Sequence, residues 1–129
     1  MRILAALFID TIDLRPVDGP STRIDLGGIK FSQLPDGGYP CTLEPHLVVL
    51  VHNPPESKAD GVLEVTYWRG EEQLARNVQP LQVEPGKFNY RLVRAELTFE
   101  GPGSIEARCS LDRSEPVIVP LTLLPTPPS

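Results

Sequence analysis

Fifteen prolines and ten glycines in 129 residues set the first limit on what this chain can fold into. They cut it at Pro16, Gly19-Pro20, Gly27-Gly28, Pro35 to Pro40, Pro54-Pro55, Gly61, Gly70, Pro80, Pro85-Gly86, Gly101-Pro102-Gly103 and Pro116. A proline removes a backbone donor and clashes with the preceding helical turn, and a glycine gives up conformational entropy inside any regular element. Little room is left for a helix of ten or more residues, so the pieces read as short strands between tight turns. With 40% of the residues apolar, a chain of 14.2 kDa can bury roughly two thirds of its surface in one core.

Between the breaks the apolar residues alternate with period two, the spacing of a strand with one buried face. Ile105, Ala107, Cys109 and Leu111 fall on one side, opposed by Glu106, Arg108, Ser110 and Asp112. Leu63, Val65 and Tyr67 face inward against Glu64 and Thr66, with Trp68 near the strand end. Val93, Ala95, Leu97 and Phe99 form an inward set, whereas Phe88, Tyr90 and Leu92 lie in the opposite phase. Such a change of face predicts a bulge or strand switch near Leu92. Leu47 to Val51 is a continuous apolar run, the signature of a central strand. Val117 to Leu124 contains Pro120, which places it at an edge or a bulge. Ser21 to Ser32 carries one or two strands around Gly27-Gly28. Glu71 to Asn77 reads either as a weak helix or as a strand after a hairpin turn at Arg69-Gly70-Glu71. The pattern predicts an all-β, antiparallel two-sheet β-sandwich, immunoglobulin-like, of seven to eight strands. It spans residues 1–124, with 125–129 as an extended tail.

The order of several pieces is also familiar. Asp10 follows an apolar first strand; then come Ile24-Asp25-Leu26-Gly27-Gly28-Ile29, Pro45-His46-Leu47-Val48-Val49, and a closing hairpin from Gly101-Pro102-Gly103 to Leu123. This resembles a family of small bacterial β-sandwich domains of unknown function. The resemblance implies the fold and supplies no functional residues, because fold does not imply function.

Twelve Lys and Arg against 17 Asp and Glu give a net charge of −5, the wrong sign for affinity built on phosphate neutralisation. No nucleic-acid partner is expected. The apolar run Ile3 to Ile9 is too short to cross a membrane and lacks a cleavage site, so it reads as a strand of a cytoplasmic protein with no membrane partner. Cys41 and Cys109 are too few for a disulfide framework and too far apart for a CxxC motif.

The groups that could carry chemistry are sparse. His46 and His52 lie on one face of an extended segment but roughly 20 Å apart at about 3.3 Å per residue, too far to share an ion. Glu44 and His46 point the same way without a third ligand. Asp10, Asp13, Asp18 and Asp25 suit turn chemistry better than a carboxylate pair, although Asp10 is expected to be partly buried. No Gly-x-Ser-x-Gly elbow or triad is present, and the glycine pairs do not form a phosphate loop. Neither catalysis nor a metal or other cofactor is expected.

Two functional readings follow. The first is a non-enzymatic interaction module that binds another protein, or itself as a homodimer, through an edge strand, most simply the first. The second is a small-molecule or carbohydrate-binding module using Trp68, Tyr67 or Tyr39 with Asn53, Asn77 or Asn89 as polar neighbours. Lys87 to Arg94 interleaves cations with aromatics, which makes Tyr67, Trp68, Phe88, Tyr90, Arg91 and Arg94 the expected binding surface. The competing reading of Phe88 and Tyr90 places them in the core.

Overall fold

The computed structural model describes residues 1–16 and 22–127. Asp18, the Gly19-Pro20 break and the last two residues of the tail lie outside the described residues. Among the described residues twelve strands form, more than the seven or eight expected, because several long segments are split by irregular steps. They are β1 (Arg2–Ile9), β2 (Thr11–Pro16), β3 (Thr22–Gly27), β4 (Ser32–Gln33), β5 (Cys41–Leu43), β6 (His46–His52), β7 (Asp60–Arg69), β8 (Glu72–Gln82), β9 (Phe88–Arg94), β10 (Leu97–Phe99), β11 (Gly103–Leu111) and β12 (Val117–Leu123). Among the described residues there is no helix, and the weak helical reading of Glu71 to Asn77 gives way to β8. Gly70 has φ 61° at the first central position of the two-residue turn between β7 and β8, the site where a type II′ hairpin needs glycine.

A five-stranded sheet has the order β4-β12-β11-β7-β8, a three-stranded sheet the order β1-β6-β9, and β5-β10 and β2-β3 are two-stranded ribbons. The ribbons prolong the three-stranded sheet. Leu43 opposite Leu97 and His46 opposite Arg94 share one register, so β5-β10 continues β6-β9 across a break at Glu44-Pro45 and Ala95-Glu96. On the other flank Asp10 donates its N–H to the carbonyls of Gly27 and Gly28 at 3.0 Å, which joins β1 to β2-β3.

The alternation seen in the sequence sets the core. Leu63, Val65 and Tyr67 of β7 and Ile105, Ala107, Cys109 and Leu111 of β11 are all buried. They pack with Ala6 and Phe8 of β1, Leu47, Val49 and Val51 of β6, and Val93 of β9. Both large sheets therefore contribute one face to a shared interior. Each fully buried Leu, Val or Phe contributes about 1.5–3 kcal/mol. No bulge occurs near Leu92: β9 pairs β6 without interruption from Phe88 to Arg94. Phe88, Tyr90 and Leu92 keep their phase and face away from the core, which Val93 alone of this strand joins, while Asn89 and Arg91 share Val93's phase. The bulges fall between Ile3 and Ala5 and between Tyr67 and Trp68.

Candidate functional site

β1 is an edge of the three-stranded sheet. The carbonyl of Phe8 accepts from the N–H of Lys30 at 2.8 Å on the side away from β6. Successive residues of a strand aim their backbone groups to alternate sides, so the N–H and C=O of Ala6 also point outward, and no strand among the described residues takes them. β12 has a matching open stretch. Its Thr122 N–H donates to the carbonyl of Phe31 at 3.0 Å, so Pro120 and Ile118 face the same way without a partner strand. Pro120 costs no ladder bond there, since its missing donor lies on the open side.

A groove of about 300 Å³ separates these two edges, lined by Leu7, Phe8, Phe31, Ile118 and Pro120 among others. Phe31 is 76% exposed and Ile118 53%. Lys30 at its margin is held by Asp10 at 2.7 Å. The bulge at one end and the Lys30 contact at the other leave a short window centred on Ala6. Such devices blunt indiscriminate edge pairing while leaving room for a matched segment.

The outward face of the three-stranded sheet is the second feature. Its cross-strand rows are Arg2, His52 and Phe88; Ala5, Leu50 and Tyr90; Leu7, Val48 and Leu92; and Ile9, His46 and Arg94. Val48 and Ile9 are buried, Leu7, Leu50, Tyr90 and Leu92 are half-buried, and Phe88 is 46% exposed.

The expected binding surface is thus divided. Phe88, Tyr90 and Arg94 share this outward face. Arg91 has the opposite phase, and its guanidinium donates to the carbonyls of Tyr90 and Pro80 at 2.9 and 3.5 Å. Trp68 lies on the outward face of the five-stranded sheet, its indole N–H donating to Thr66 Oγ1 at 2.8 Å and its ring covered by the Arg108 guanidinium at 4.5 Å. Tyr67 is a correction: it is fully buried, because its phase on β7 is that of Leu63 and Val65, and it belongs to no surface. Neither Phe88 nor Tyr90 joins the core cluster.

The features proposed for small-molecule binding are engaged elsewhere. Tyr39 donates its hydroxyl to the Leu124 carbonyl at 2.7 Å. Asn53 is fully buried and its Nδ2 donates to the carbonyls of Lys58 and Val83 at 3.0 and 2.8 Å. Asn77 Oδ1 accepts from Gln79, and Asn89 donates to the Gln82 carbonyl.

Two carboxylates of the first third, Asp10 and Asp25, are also held by cations. Asp10 is exposed, not partly buried, because it leaves the sheet at the step from β1 to β2. Asp13 stands opposite Asp25 in β2-β3. Asp25 meets Arg15 at 2.7 Å and Arg23 at 3.0 Å, and the Arg23 hydrogen bond holds its carboxyl below the usual range. It therefore keeps no proton to give as a general acid. Glu44 and His46 line a recess of about 120 Å³ beside Asp10 and Lys30; among the described residues no group of three or more metal-ligating side chains comes together. Cys41 and Cys109 are free thiols. Burial pushes the Cys109 thiol up to about 12, which leaves it un-ionised and unreactive at neutral pH. Among the described residues no helix is long and apolar enough to cross a membrane.

Comparison with known protein families and with curated proteins finds no match for this chain.

Proposed function

We propose that this chain is a non-enzymatic protein-interaction module, a β-sandwich of immunoglobulin-like layout that accepts a strand of a partner protein along β1. The sandwich pairs the five-stranded sheet with the three-stranded sheet and its ribbons. The observation that carries the reading is the unpartnered backbone of Ala6, facing an apolar groove whose far wall is the equally unpartnered edge at Ile118. An added strand gains main-chain hydrogen bonds from the edge and selectivity from side-chain pockets. Phe31 and Ile118 offer the apolar contact.

Ala6→Pro tests the reading. The Ala6 N–H serves no strand among the described residues, so proline there removes a donor only from the open edge, as Pro120 does on β12. Peptides of about twelve residues, selected from a random displayed library on the full chain, are expected to alternate apolar and polar residues. They should lose at least about tenfold in affinity for A6P, provided A6P keeps the wild-type circular-dichroism spectrum. Selected peptides that bind A6P as well as wild type, or a library that yields none, contradict it.

A further inference from the structure

We infer that the outward face of the three-stranded sheet is a self-association surface on which a second copy of this chain seats face to face, leaving the β1 edge free for the partner proposed above. The two outward faces of the molecule differ in kind. On the five-stranded sheet the charges are internally matched: Arg76 meets Glu64 at 2.8 Å, Arg108 meets Glu106 at 3.3 Å, and Arg108 also covers Trp68. Its exposed apolar residues Val62 and Val78 flank the Arg76–Glu64 pair. On the three-stranded sheet the middle rows are apolar, with Ala5, Leu7, Leu50, Tyr90 and Leu92 half-buried around a fully buried Val48, and neither Arg2 nor Arg94 has an ion-pair partner among the described residues.

Charge is distributed along this face with a direction. Arg2 and His52 form the row at one end. Beyond the opposite end, in the phase of His46 and Arg94, the strand break presents Glu44 and Glu96, both exposed and neither in an ion pair among the described residues. A two-fold axis lying across the strands at Val48 sets each strand over its own copy with the ends exchanged. His52 then faces Glu44 of the second copy, with Arg2 beside it, and Glu96 comes over the Phe88 end. Tyr90 faces Arg94, the geometry of a cation–π contact. Leu7 and Leu92 meet their own copies on either side of the buried Val48. Self-complementarity of this kind is what an isologous dimer requires, and face-to-face sheets pack with strands within about 30° of each other.

The area sets the strength. Nine residues, Glu44 to His52, at about 3.3 Å each, across three strands about 4.8 Å apart, give roughly 430 Å² per copy. The total of about 860 Å² is below the size of stable specific interfaces, so the dimer is a weak, transient one.

Sedimentation velocity on the full chain tests this. The wild-type mass should rise from 14.2 kDa to twice that value between about 1 and 500 µM, and salt should weaken the association. The double variants E44K/E96K and R2E/H52E should each weaken it at least about tenfold, since each places like charges at both ends of the interface. An equimolar mixture of the two should restore a dimer, because every end contact again joins opposite charges. A wild-type chain that stays monomeric at about 500 µM overturns the inference and leaves the strand-addition reading intact. Association that survives both charge reversals, or that A6P abolishes, overturns it in favour of pairing through the β1 edge.

Discussion

The buried thiol of Cys109 makes the stability of this protein fall with rising pH in a way that can be worked out from its position. Cys109 lies on the core face of β11 with no exposed surface. Burial raises its pKa from an ordinary value of 9.0 to about 12, because the thiolate has no solvent or cation to stabilise it there. Below about pH 9 the thiol is neutral in both folded and unfolded chains, and the stability associated with it is fully present. Above that value the unfolded chain ionises while the folded chain does not, so stability is lost as pH rises, until the folded thiol itself ionises near 12. At about 1.4 kcal/mol per pH unit, the loss from pH 9 to 11 is on the order of 2–3 kcal/mol. Tyr67, also buried and shifted upward chiefly by desolvation, adds a loss of the same sign above about pH 10. Urea unfolding at several pH values, for wild type and Cys109→Ala, measures the effect. C109A should be less stable at pH 7 for lack of the sulfur's packing, yet fall less steeply between pH 9 and 11. Parallel curves for the two proteins would refute the assignment of this slope to the buried thiol.

Two substitutions test how the loops are held. Asn53→Ala removes the donor to the Lys58 and Val83 carbonyls and leaves the Val83 carbonyl buried without it, so thermal or urea unfolding should show a loss of about 1–3 kcal/mol; a loss under 0.5 kcal/mol would mean these bonds do not staple the loops. Gly28→Ala places a Cβ against the Asp10 carboxylate at a residue with φ +66°, which should cost about 1–3 kcal/mol and loosen the Asp10–Lys30 pair; an unchanged melting temperature would show that the turn relaxes freely.

Much of this arrangement was legible where one strand face is apolar and the other polar. Residues 105–112 and 63–67 announce their burial by strict alternation, Pro120 announces an open edge, and Gly70 announces its turn. The reading failed where apolar residues occupy both phases of one segment. On β9 the sequence phase places Phe88, Tyr90 and Leu92 opposite Val93, and the assumption that apolar means inward required a bulge that the strand does not make. The same ambiguity in Ile3 to Ile9 concealed the bulge at Leu4, since a shift of phase within a uniformly apolar run leaves no trace. It also concealed the outward face, whose members were distributed between strands that only the register brings together. Tyr67 and Trp68 share no surface, because adjacent residues on a strand point to opposite sides. The open backbone at Ala6 has no residue that marks it, because a vacant edge is a property of topology; on β12 only Pro120 does.

Amide hydrogen exchange by NMR at single residues of β1 and β12 tests that vacancy most directly. The amides of Leu7 and Ile9 point to β6 and should be strongly protected, whereas those of Ala6 and Ile118 should exchange at least about a hundredfold faster than the Val49 core level despite lying in the same strands. Equal protection along β1, with Ala6 as slow as Leu7, would mean that this edge is already occupied and that no partner strand can add there.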